Sequence, residues 1–114
     1  MSFLKCSISI LMLCLTVSAK AEYFAESFTV EALMPSGNGL HVKLSPNPTQ
    51  CTGSWWGTQF LIDKSVENYE VLVSSMLAAY MSGKKLKAVH YSVSGSGACN
   101  AGNQLNINIF QVTN

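Results

Sequence analysis

Arginine is absent from this chain of 114 residues, and charged side chains of all kinds make up only 11% of it. Arginine is the planar fork that grips phosphates and base edges, so its absence argues against nucleic-acid recognition. Histidine is nearly as scarce. His41 and His90 are the only two, they are not spaced as a metal pair, and no H-E-x-x-H, nucleophile-elbow or phosphate-loop motif occurs. The glycine-rich stretch 95–102 lacks the Gly-Lys-Ser/Thr ending of a nucleotide cradle and reads as a connection between strands. The two carboxylates of a glycoside hydrolase would have to come from Asp63, Glu67 and Glu70, and a solvated helical face accounts for the last two. No apolar run reaches the ~20 residues of a permanent bilayer span. The sequence predicts no catalytic residue, no cofactor and no metal site.

The longest apolar run, residues 6–17, follows Lys5 and precedes Ala19-Lys20-Ala21. That succession of cation, apolar core and small-residue site predicts a secretion signal over 1–21 and a single mature domain over 22–114, exported to the periplasm or beyond. Leu13 is too bulky for lipid attachment at Cys14. Cys6 and Cys14 leave with the signal, so the mature domain keeps only Cys51 and Cys99. In an oxidising compartment that pair predicts a disulfide. Two free thiols or half of a metal site are the rival readings, but neither cysteine has a His or second Cys two to four residues away, as zinc sites require. Closing a loop of this length contributes about 4 kcal/mol on entropic grounds, comparable to the whole stability of many small domains. Removing Lys5 and Lys20 from the seven lysines leaves five against six acids, a mature domain close to neutral. Lys84, Lys85 and Lys87 follow a predicted helix, where cations suit the negative end of its dipole.

Hydrophobic periodicity orders the rest. Phe24, Phe28, Val30, Ala32 and Met34 recur at period two and predict a first strand over 23–34. The turn formers Pro35-Ser36-Gly37-Asn38-Gly39 follow, and then Leu40, Val42 and Leu44 alternate with His41 and Lys43 as a hairpin partner. The prolines after Ser45 end that strand. A third strand is predicted over 55–62. Val66, Tyr69, Leu72, Val73, Met76, Leu77 and Tyr80 fall at helical spacing, with Ser65 as the expected N-cap, Glu67 in the first turn and Gly83 at the close. Strands over 86–93 and 105–109 complete the order β-β-β-α-β-β. That order, in a mainly β chain with one helix, predicts a five-stranded OB-fold-like barrel closed by one disulfide, with an open α+β sheet carrying the helix on one face as the competing architecture for the same order.

Cys51, Trp55-Trp56, Phe60-Leu61-Ile62-Asp63, the helix 69–80 running into Ser82-Gly83-Lys84, Cys99 and Ile107-Asn108-Ile109 together resemble small secreted bacterial proteins with a Cys, helix, S-G-K, strand, Cys module. The likeness spans about residues 50–112. In topology and size the chain is also similar to the OB-fold B subunits of bacterial toxins, the subtilase-type cytotoxin B subunit above all. That likeness implies a pentamer that binds cell-surface sugars, with no contact motif to carry over residue by residue. Trp55 and Trp56, beside a polar loop, are the candidate ligand-binding residues, because an indole face suits the apolar side of a pyranose. Adjacent strand residues point to opposite sides, which predicts one tryptophan inward and one outward, or both packed in a loop over the barrel end. The expected function is therefore a secreted, non-catalytic binding module for a glycan or protein on a cell surface or envelope. It carries no permanent membrane anchor, and its helix could serve a homo-oligomer. A protein-interaction or inhibitor role in the periplasm is the alternative.

Overall fold

The computed structural model describes residues 22–93 and 98–114. The expected secretion signal and residues 94–97 of the predicted connection lie outside them. Six strands form one sheet: β1 (Glu22–Phe24), β2 (Phe28–Ser36), β3 (Gly39–Ser45), β4 (Phe60–Asp63), β5 (Lys85–Val93) and β6 (Leu105–Thr113). The single helix among the described residues, α1 (Tyr69–Ser82), lies between β4 and β5. None of the described helices is long and apolar enough to cross a membrane.

The expected first strand is two pieces. β1 and β2 both pair antiparallel with β5, with Phe24 opposite Val89 and Phe28 opposite Leu86. Residues 25–27 are the break between them. Ala88, on the facing strand, takes a left-handed φ of 50°, and the β5–β6 register slips between Lys87 and His90. Such irregularities bend a strand and raise its twist, which lets one edge wrap around a core. β2 continues into a hairpin with β3, β3 pairs antiparallel with β4, β4 pairs parallel with β6, and β6 returns antiparallel to β5. The pairings thus run in a cycle through β2, β3, β4, β6 and β5.

Inside this ring the inward positions are filled by Phe28, Val42, Leu44, Phe60, Ile62, Leu86, Val89, Leu105 and Ile107, all buried. Phe24 stacks on Tyr91 at 4.5 Å and meets Phe28 edge-on at 5.3 Å, while Phe28 and Phe60 approach edge-on at 6.1 Å. Tyr91 keeps its hydroxyl satisfied at the rim of this cluster. It donates to the Glu22 carboxylate at 2.9 Å and accepts from Gln50 at 2.7 Å. Burial, and then the bond to Glu22, push the Tyr91 hydroxyl above its ordinary pKa.

The helix packs on β2, β4 and β6, burying Met76 and Ala79 and resting Tyr69, Leu72 and Val73 against the core. Its start differs from expectation. Ser65 does not cap it, because the Asp63 carboxylate has already taken both the Ser65 hydroxyl and, at 3.1 Å, the Ser65 N–H. That local turn delays the helix to Tyr69, with Asn68 in a left-handed conformation ahead of it and Glu70, not Glu67, in the first turn. Asparagine tolerates that region better than most residues. The close is as expected: Gly83 turns left-handed at φ 72°, and Lys84 donates its N–H to the Ala79 carbonyl at 3.1 Å. Gly39 is required for a different reason. A Cβ there would lie 2.1 Å from the Ile62 carbonyl oxygen, so only glycine lets β3 approach β4 this closely.

Phe60 is fully buried where strands and helix converge, whereas Val71 on the helix is 64% exposed. Phe60→Ala is expected to cost about 3–5 kcal/mol by urea unfolding, while Val71→Ala stays within about 0.5 kcal/mol.

Candidate functional site

The predicted third strand begins five residues late, and the reason shapes the site. Residues 55–58 form a tight turn in which Trp56 (φ 54°) and Gly57 (φ 81°) are both left-handed. Trp55 and Thr58 exchange backbone hydrogen bonds at 2.9 and 3.0 Å across it. Glycine supplies the second of these conformations without steric cost, but a tryptophan in the first is strained by roughly 1–2 kcal/mol. The turn also decides where the two indoles go. Trp56 stands out from the tip, 80% exposed, and Trp55 folds back to lie 4.4 Å from the ring of His41.

Under Trp55 runs a chain of polar groups, buried at Thr58, Gln104 and His41 and reaching the surface at Ser36. Thr58 accepts from the Gln104 amide nitrogen through its carbonyl at 2.9 Å and its hydroxyl oxygen at 3.0 Å. The Gln104 amide oxygen can only accept, so His41 donates Nδ1–H to it, at 2.5 Å. His41 Nε2 is then the acceptor for the Ser36 hydroxyl at 2.8 Å. Ser36 in turn accepts the Asn38 N–H at 3.1 Å. A second glutamine does the same work nearby. Gln59 accepts the Leu44 N–H at 3.3 Å and donates to Asn47 at 2.7 Å.

The disulfide expected from the sequence is present. Cys51 and Cys99 are bonded and both buried. It joins the segment before β4 to the segment before β6, and Gly53 adds a backbone bond to the Ala98 carbonyl at 2.8 Å. The turn that carries Trp55 and the loop that carries Gln104 are therefore tied together at both ends, covalently on one side and by hydrogen bonds on the other.

These elements surround a cleft of about 470 Å³. Trp55 and His41 form one part of its lining, and Asn38, Asp63 and Ser65 another. Ser92, Gln104, Asn106 and Asn108 contribute from β5, β6 and the loop before β6. The Ser65 hydroxyl, and then its N–H, hold the Asp63 carboxyl below the ordinary carboxylate range, so it is ionised at neutral pH. A shallower polar recess of about 320 Å³ lies by Cys51 and Gly53, lined also by Lys43 and Asn47.

Of the two candidate tryptophans, the structure brings Trp55 into the cleft and leaves Trp56 in the open turn. The histidines are not brought together: His41 joins Ser36 and Gln104, whereas His90 stacks on Tyr23 at 5.2 Å. Of the carboxylates, only Asp63 lines the cleft, while Glu67 and Glu70 are exposed. From sequence, Asn106 and Asn108 read as edge-strand residues rather than ligand contacts, and Gln104 carries no expected role; the structure brings all three to the cleft. A signal for Asn106 and Asn108 is present, since at period two they share one face of the last strand, with Gln104 just ahead of it in the same phase. Among the described residues no cluster of three metal-ligating side chains occurs. Comparison with known proteins returns no matching family model, no matching curated protein and no matching solved structure. The site therefore stands on its own geometry.

Two outcomes check this construction. Gln104→Leu strands the Nδ1–H of His41, while the Thr58 carbonyl keeps the Trp55 N–H, and is expected to cost about 1–3 kcal/mol in urea unfolding, with a shift in Trp55 fluorescence. The double variant Cys51→Ser/Cys99→Ser is expected to lose about 2–4 kcal/mol, and the wild type in reductant should unfold at the same midpoint as that variant.

Proposed function

We propose that this chain is a secreted, non-catalytic binding module whose cleft recognises a glycan on a cell surface or envelope. The observation that carries the reading is the pairing of Trp55 with the amide-rich lining Asn38, Asn106 and Asn108 around one cleft of about 470 Å³. Small-ligand sites combine apolar or aromatic walls with a few placed polar groups. A pyranose matches both, with an apolar face for the indole and a rim of hydroxyls for amides and carboxylate. A site of this kind holds its ligand best when its side chains are already in position. The buried His41, Gln104 and Thr58 chain and the disulfide supply that order. Both ring nitrogens of His41 are engaged in it, which suits a supporting role better than proton transfer.

The scaffold we propose is an OB-type barrel. Its support is the cycle of five strands, the parallel pair of β4 with β6, and the helix between β4 and β5. The resemblance to toxin B subunits points the same way, towards an exported sugar-binding subunit that assembles with copies of itself.

A protein partner is the second reading, and the helix surface favours it. Val71, Leu77, Tyr80 and Met81 are all exposed on α1. Scattered exposed apolar residues are ordinary, but four on one short helix form a surface suited to burial.

On a glycan array, the exported, oxidised protein is expected to bind a defined set of glycans. Trp55→Ala should weaken that binding at least ten-fold, and Trp56→Ala should weaken it less. Absence of glycan binding, or binding indifferent to Trp55→Ala, refutes the sugar site. A stoichiometric envelope protein captured in the presence of competing sugars, and lost on Met81→Glu, would establish the second reading instead.

A further inference from the structure

The charge arrangement in the cleft deepens the glycan reading and rests on it. Among the described residues lining the cleft, Asp63 is the one carboxylate, and no lysine or arginine lines it. His41 is the other titratable group there, and it offers the ligand no N–H. Its Nδ1–H is given to Gln104, its Nε2 lies on Ser36, and Trp55 covers the ring. Lys64 follows Asp63 in the chain and its charge adds to the Ser65 bonds in holding the Asp63 carboxyl down, but it is exposed and does not line the cleft. Lys43 lines the separate shallow recess. Lys84, Lys85 and Lys87 are exposed and line neither.

Asp63 is also held in place. Its Oδ2 takes the hydroxyl and N–H of Ser65. Its other oxygen is left as a charged acceptor for ligand hydroxyls, and charge-assisted hydrogen bonds of that type are the strong ones. A carboxylate on the ligand would meet this fixed anion in a cleft lined by no arginine or lysine, and like charges brought close disfavour each other, while the exposed Lys64 ammonium is screened by solvent. We propose that the cleft selects uncharged pyranoses, with Asp63 accepting from their hydroxyls beside Trp55, and rejects acidic sugars.

The test compares matched glycans by titration calorimetry: neutral galactose- or N-acetylglucosamine-terminated oligosaccharides, and the same oligosaccharides capped with sialic acid or oxidised to the terminal uronate. The wild-type protein is expected to bind the neutral members at least ten-fold more tightly than their acidic counterparts. Asp63→Asn should weaken the neutral members several-fold and narrow the gap. Equal or tighter binding of the acidic members by the wild type overturns the selectivity while leaving the glycan site standing. No binding of either set overturns both. The wild-type comparison decides the matter even where Asp63→Asn does not fold, and circular dichroism of the variant separates that case.

Discussion

The parallel pairing of β4 with β6 is the constraint on which the rest of the structure depends. Two parallel strands in register have their preceding segments at the same end of the sheet. Phe60 lies opposite Leu105, so the chain entering β4 and the chain entering β6 must run side by side. The disulfide, the Gly53 to Ala98 bond, the Leu105 N–H to Gln59 carbonyl bond at 3.1 Å and the Gln104 to Thr58 bonds all connect those two segments. Each is short-range in space only because the strands beyond it are parallel neighbours. Parallel neighbours cannot be joined by a hairpin and need a long crossover. Here the crossover contains α1 and β5, and it returns the chain with its pairings closed into a cycle.

This arrangement explains why the segments entering β4 and β6 enclose buried polar side chains. Loops cannot be buried unless their backbone groups find partners, since an unsatisfied buried group costs about 1–3 kcal/mol. Gln59 and Gln104 solve the problem at once for several groups, each reaching from one segment to another. Among the described residues no buried side-chain nitrogen or oxygen lacks a hydrogen-bond partner. A network satisfied throughout is rigid, and rigidity at this point holds Trp55 against His41. The strained turn at Trp56 fits the same logic. A bulky residue in the left-handed region persists where its surroundings determine the backbone on both sides, and here the Trp55 and Thr58 bonds, the Thr58 to Gln104 bonds and the disulfide do so.

The outward surface has a different character. With few charges and a near-neutral balance, the chain has little electrostatic repulsion to keep copies or partners apart. The apolar side chains that α1 presents to solvent lie on an element that the core holds only through its other face. The cleft beside the two tied segments and the exposed apolar residues of the helix lie on different elements of the fold.

Residues near in sequence were legible without the fold. The alternation in residues 40–44 and 105–109 gave strands, the spacing from Tyr69 to Tyr80 gave a helix, Gly83 marked its end, and two remaining cysteines predicted their bond. These follow from local periodicity, steric rules and chemistry that act over a few residues or on a pair with no rival. Where one local interaction overrode another, the reading slipped: Asp63 captured Ser65 before it could cap the helix, and Trp56-Gly57 turned where a strand was expected. The site was legible only in fragments. Trp55 was visible as a candidate, but its union with His41, Asp63, Gln104 and Asn106 comes from four separate stretches of chain. The register of β3 against β4 and that of β4 against β6, the latter a pairing between residues 45 apart in the sequence, together decide that they face one cleft.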